Sequence, residues 1–269
     1  MQKTLPPAAA MRKQDSAKGP FLEVCCPTST NTSTKGFLRE LSRAIDDAKR
    51  RAEMRGFATD TVILFPENVF KYCFTVKDLQ IVKAAEAAWR QLPPDQWIAI
   101  CCSAFEKNSE GHAVNSGYLV CQEGLQIRPK LALSNLDAAL LRIHVGASSR
   151  KNDKERDYVK YLAQWYRRRK DAENMATPFC IADAPSGKKI ELRICLDACV
   201  PSENEIDTVC LVPAEGLSPS VPQSQIMENR MAVIVNDGRL ETPGVFTCKP
   251  GLKTNIEISQ RLNNVALFE

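Results

Sequence analysis

Glu191-Leu-Arg-Ile-Cys-Leu-Asp197 is an apolar-alternating run that carries a cysteine, Cys195, to the end of an expected strand over residues 189–195. Two other stretches share this design. Val62-Ile-Leu-Phe-Pro-Glu67 ends a hydrophobic strand on a carboxylate, and Leu125-Gln-Ile-Arg-Pro-Lys130 ends a shorter run on an ammonium. A thiol becomes a strong nucleophile once a base takes its proton. A cation nearby holds the oxyanion that follows attack. Thiol, carboxylate and ammonium at three strand ends are the parts of a cysteine acyl-transfer site.

Outward from these stretches, the pattern alternates strands with helices. Ordered structure is expected from Phe21, with a first strand in Phe-Leu-Glu-Val-Cys, after a flexible leader over residues 1–20. A Ser/Thr/Asn loop leads to Thr34 as the expected N-cap. Phe37, Leu38, Leu41, Ala44, Ile45, Ala48 and Ala52 then recur at helical spacing, and Gly56 supplies a stop. A strand over residues 61–65 follows. A second helix is expected from Thr75, with Leu79, Val82, Ala85 and Trp89 on one face. Next come a strand over residues 97–103 and a hairpin joining 114–120 to 125–127 around Gln122-Glu123-Gly124. Residues 150–174 form a charged segment with Tyr158, Leu162 and Trp165 on one helical face, expected to lie on the body. The second half resumes strand, strand (208–212), helix (223–231) and strand (232–236). This order is an α/β layered pattern that repeats the rhythm of the first half without a sequence repeat.

Composition narrows the class. A chain of 269 residues, 44% hydrophobic and 25% charged, builds a core without help from disulfides or metals. Net charge is only +4, which gives no nucleic-acid signal. The Arg167-Arg-Arg-Lys170 run is flanked by acids and reads as a solvated helix face. Eleven cysteines form no disulfide framework: Cys25-Cys26 and Cys101-Cys102 are adjacent, so on a strand they face opposite ways. Most sit in apolar runs as small hydrophobes, as expected in a reducing compartment, here the cytoplasm. The leader has no continuous apolar region, which leaves export by a non-classical route open. No run approaches the roughly 20 apolar residues that cross a bilayer. His112 and His144 are isolated and the cysteine spacings match no zinc pattern, so no metal site is expected.

With these positions laid out, the chain resembles the nitrilase, or carbon–nitrogen hydrolase, superfamily. Phe65-Pro66-Glu67 resembles the family's strand-terminal F-P-E. Asn115-Ser116-Gly117-Tyr118 through Gly124 and Arg128-Pro129-Lys130 resemble its hairpin and lysine segment. Ile194-Cys195-Leu196-Asp197, then Pro201, resembles its I-C-x-D turn, and Glu228-Asn229 through Asn236 its following helix–strand unit. The resemblance covers roughly residues 21–238.

What it implies is a single domain over residues 21–269, built as a four-layer αββα sandwich of two mixed β-sheets with the 150–174 segment as an insertion. It implies Cys195 as nucleophile, Glu67 as general base, Lys130 as stabiliser of the tetrahedral intermediate and the backbone N–H of Leu196 as an oxyanion donor. The activity implied is hydrolysis of a small amide or related substrate through a thioester, with no cofactor and no metal. A homodimer is an open alternative. The chain departs from the pattern after Lys130, where Asp137 and Glu155 are the candidates for a second acid, and in the Ala198-Cys199-Val200-Pro201 turn. The short stretch after Asn236 leaves the closing strands and the dimer arm reduced. A nitrilase-fold module that has lost turnover and binds a partner through residues 150–174 is the competing reading. Asp197 reads as a turn-stabilising residue, and Cys199 as packing.

Overall fold

In the computed structural model, the described residues are 21–27, 33–55, 59–67, 78–94, 96–107, 113–132, 179–199, 208–214, 231–236, 244–248, 257–258 and 265–268. The leader, residues 150–174, Asp137, Glu155 and residues 223–230 of the expected helix lie outside them, while Met231, expected to end that helix, opens a strand instead.

Strand β1 (Phe21–Cys25) leads to helix α1 (Thr34–Arg55), β2 (Thr59–Leu64), α2 (Asp78–Trp89) and β3 (Ile98–Lys107). The hairpin β4 (Ala113–Cys121) and β5 (Gly124–Pro129) completes the first half. The second half holds β6 (Cys180–Asp183), β7 (Lys189–Leu192), β8 (Thr208–Ala214), β9 (Met231–Asn236), β10 (Gly244–Cys248), β11 (Glu257–Ile258) and β12 (Val265–Phe268).

These strands form two six-stranded sheets, ordered β12-β1-β2-β3-β4-β5 and β11-β10-β9-β8-β7-β6. In the first, β1, β2 and β3 run parallel, and the remaining neighbours are antiparallel. The second repeats the same sequence of pairings, with β7, β8 and β9 as its parallel trio. The rhythm seen along the chain is therefore a structural near-repeat. Parallel neighbours need a crossover, which α1 and α2 provide in the first half.

Side-chain alternation sorts the core into layers. Leu22, Val24, Val62, Leu64, Ala99, Cys101 and Leu119 of the first sheet meet Ala182, Ile190, Leu192, Val209, Leu211, Val233 and Val235 of the second. Ile63, Phe65, Ile98, Ile100, Cys102 and Tyr118 point the other way, onto Phe37, Leu41, Ile45, Ala84, Ala85 and Ala88 of the two helices. Cys101 and Cys102 thus face opposite layers, as the strand period requires. The far face of the second sheet is buried as well, through Ile194, Cys210, Val212, Ala232 and Ile234. Both sheets are apolar on two faces, the pattern of a layered α/β sandwich.

Several expectations change. Ser33, not Thr34, caps α1: its hydroxyl accepts from the Gly36 N–H at 3.1 Å and its carbonyl from the Phe37 N–H at 2.9 Å. A cap one residue earlier places the donors at the second and third helical positions within its reach. The buried face of α2 centres on Ala84, Ala85 and Ala88, with Val82 and Trp89 only partly covered. Thr75 and Gly56 lie outside the described residues. Strand β7 ends at Leu192, three residues short of Cys195. Strand β6 has no counterpart in the sequence reading; it forms a hairpin with β7 through a turn containing Gly187 at φ 83°. The closing strands are present rather than reduced: β10 and β11 extend the second sheet, and β12 returns to β1. Four-residue strands bury too little to stand out from their own composition; long-range pairing defines them.

Candidate active site

Each expected site residue lies just past a strand. Phe65 continues the ladder of β2 by donating its N–H to the Cys101 carbonyl at 2.9 Å. Pro66 has no N–H and closes the ladder, leaving Glu67 at the tip. Lys130 follows Pro129 at the end of β5, and its N–H donates to the Asn115 carbonyl of β4 at 2.7 Å.

These two strand ends converge. Lys130 Nζ donates to Glu67 Oε1 at 2.8 Å, with the side chains 0% and 2% exposed. The Asn115 Nδ2 amide donates to the same oxygen at 2.9 Å. Buried charges persist only when paired and hydrogen-bonded, and this pair meets both conditions. Asn115 thereby holds both partners, the lysine through its backbone and the glutamate through its side chain. The sequence reading did not single it out. The signal was its place in the hairpin strand opposite the lysine segment.

Cys195 opens a one-turn 3₁₀ helix, Cys195–Cys199, and is itself buried. Its φ is 48°, the left-handed region that non-glycine residues rarely occupy and that costs about 1–2 kcal/mol. Such strain persists where the surrounding structure over-determines it, and it gathers at functional turns. The turn closes through Asp197 N–H to the Ile194 carbonyl at 2.9 Å. Leu196 is partly buried beside the Ile194–Ala198 cluster.

Asp197 does more than stabilise its turn. Its Oδ1 accepts the N–H of Leu131 at 2.9 Å and of Ala132 at 2.6 Å, the two residues after Lys130. Burial pushes this carboxyl up to about 7; the Glu67 charge pushes the same way, while the two N–H donors and the Lys130 ammonium oppose the rise. Glu67 and Lys130 are thus in direct contact, and the Cys195 turn is tied to the lysine segment through Asp197.

A second buried pair braces this turn. Arg193 Nε donates to Glu191 Oε1 at 2.9 Å, and both side chains are fully buried. The guanidinium lies 4.3 Å from the centre of the Phe179 ring and donates to the Asp197 carbonyl at 3.4 Å. The sequence signal for Arg193 was a charge in the middle of the apolar Leu192-Arg-Ile194 run. Gly117 of β4 makes the sheets' close approach possible here: a Cβ on it would stand 3.2 Å from Leu192 Cδ2 and 3.3 Å from Ile194 Cδ1.

Burial raises the thiols of Cys25, Cys26 and Cys101 well above the ordinary range, and those of Cys102, Cys121 and Cys180 to about 12. Cys25, Cys26, Cys101, Cys102, Cys121, Cys180, Cys195 and Cys210 are free thiols. Among the described residues no cluster of His, Cys, Asp and Glu has the arrangement of a metal site.

Two mixed six-stranded sheets face to face, with helices outside, give this chain the fold of the nitrilase superfamily. No protein-family model and no curated protein matches the sequence. The solved structures that share the fold include the amidase of Nesterenkonia sp. AN1. A Glu→Gln mutant of that amidase, bearing the product of Michael addition of acrylamide at its active-site cysteine, is 14% identical with a TM-score of 0.54; the match covers 93% of this chain and 92% of that one. A Cys→Ser mutant, described as an amidase from the nitrilase superfamily, is also 14% identical with a TM-score of 0.54, over 94% and 92% of the two chains. A Cys→Ala mutant in complex with butyramide is 15% identical with a TM-score of 0.54, over 93% and 90%.

Proposed function

We propose that this chain is a cysteine-dependent hydrolase of non-peptide C–N bonds, amidase-like, acting on a small amide. The buried Glu67–Lys130 pair, joined through Asp197 to the turn of Cys195, is the observation that carries this reading. A fully buried carboxylate–ammonium pair is weak as a source of stability. Beside a strained cysteine turn it has a chemical use.

In the proposed reaction the Cys195 sulfur bonds to the substrate carbonyl carbon while Glu67 takes the thiol proton. The carbonyl oxygen becomes an oxyanion, held by the Lys130 ammonium and the Leu196 N–H. Collapse breaks the C–N bond, and Glu67 returns the proton to the leaving nitrogen. Water then adds to the thioester with Glu67 as its base, the C–S bond breaks, and the carboxylic acid leaves as the thiol is restored. The likeness to amidases that take acrylamide at a cysteine and bind butyramide supports small aliphatic amides as the first substrates to try.

A haloacetamide probe with peptide-level mass spectrometry tests the reading. Cys195 is expected to be labelled ahead of the other thiols, because the Lys130 ammonium favours its thiolate. Labelling disappears in Cys195→Ala and falls about tenfold or more in Lys130→Ala. Labelling of Cys195 that is indifferent to Lys130→Ala refutes the proposal.

A further inference from the structure

We propose that Asp197 is a positioning residue: by taking the two N–H groups that follow Lys130, it fixes the lysine ammonium relative to Cys195 and sets the charge that ammonium feels. The inference rests on the reading of Cys195 and Lys130 given above.

The geometry is specific. A single carboxylate oxygen receives both Leu131 and Ala132 N–H groups, across 66 and 65 residues of chain. On its own element, the Asp197 N–H is already engaged by the Ile194 carbonyl and its carbonyl by the Arg193 guanidinium. The residue's backbone is therefore fixed at two points, and its side chain is left to hold another segment. Lys130 is gripped on both sides: its own N–H by the Asn115 carbonyl, and the two amides after it by Asp197. Burial and the Glu67 contact restrict the lysine's flexible four-carbon stem, and the backbone clasp sets the point from which that stem starts.

Charge adds a second effect. The groups that act electrostatically on Asp197 are the Lys130 ammonium and the Glu67 carboxylate. Two carboxyls and one ammonium share a dry site, so an ionised Asp197 opposes formation of a thiolate nearby. An amide in its place keeps an acceptor for both N–H groups and removes that charge.

The test is the rate of iodoacetamide alkylation of Cys195 in the full chain, measured from about pH 5 to about pH 9, in the parent, Asp197→Asn and Asp197→Ala. Asp197→Ala is expected to be slower by about 10–100-fold across the range, the scale of an ångström-level misplacement. Asp197→Asn is expected to stay within about threefold of the parent's plateau rate, with its rise displaced to lower pH. Parent-like rates and pH profiles in both variants overturn the proposal. Should Asp197→Ala fail to fold, Asp197→Asn decides alone, because an undisplaced profile overturns it. If the parent's Cys195 resists labelling, it is the proposed hydrolase that fails. Hydrogen exchange then judges the clasp: Leu131 and Ala132 amides slow in the parent and in Asp197→Asn support it, and fast exchange in the parent overturns it.

Discussion

Replacing Lys130 with methionine removes one partner of a buried ion pair while keeping the length of the side chain. At 2.8 Å, with an effective dielectric near 20, the attraction between Lys130 and Glu67 is about 6 kcal/mol. Withdrawing both ions from water costs several kcal/mol each, so the pair contributes little net stability. Removing one partner is a different matter. Glu67, 2% exposed, would lose its ammonium, and the neutral Asn115 amide does not replace that charge. Lys130→Met should therefore lose about 3–5 kcal/mol, a large fraction of the roughly 5–15 kcal/mol that holds a domain together. Glu67→Gln should lose a similar amount by stranding the ammonium. The double variant removes both charges and should recover at least about 2 kcal/mol relative to the sum of the singles. Urea unfolding followed by circular dichroism reads this as a change in midpoint at constant slope. Single variants within about 1 kcal/mol of the parent, or a double variant equal to the sum, would show that the two groups are not coupled.

The Asp197 carboxyl makes stability depend on pH. Between the ordinary 3.8 and about 7 the native chain holds a proton that the unfolded chain has lost, so stability falls as pH rises through this window. At about 1.4 kcal/mol per pH unit the full loss is about 4 kcal/mol, and it should vanish from the pH profile of Asp197→Asn measured by urea unfolding. Gly117→Ala should cost about 1–3 kcal/mol, because the new methyl meets Leu192 and Ile194 between the sheets; an unchanged melting midpoint would refute that close approach. Ser33→Ala should cost about 1 kcal/mol by leaving the Gly36 N–H without its acceptor, and Ser33→Asp should retain the parent's midpoint.

Glu23 illustrates how far sequence patterns reach. It sits inside an apolar strand, where period-2 reading treats it as an outward polar residue, yet it is buried. Arg51 Nε of α1 donates to it at 2.7 Å, and Arg55 also pairs with it. The arginines come from the last turns of a helix about 30 positions away, and no local pattern links them. Arg193 follows the same logic. Its charge interrupts an apolar run between Leu192 and Ile194; Glu191 lies two residues away, but the Phe179 ring reaches it only because β6 pairs with β7.

The sequence by itself determined the local vocabulary: apolar strands that end on a carboxylate, a lysine and a cysteine turn, helices amphipathic at the right period, and an α/β rhythm played twice. These are properties of neighbours along the chain, where side-chain alternation and backbone sterics act over a few residues. Tertiary structure alone decided that Glu67 and Lys130 share one buried contact, that Asn115 holds both, and that Asp197 ties the cysteine turn to the lysine segment. The reason is physical. A buried charge is tolerable only beside its partner, and which partner it finds depends on sheet register across dozens of residues, information that no single strand contains.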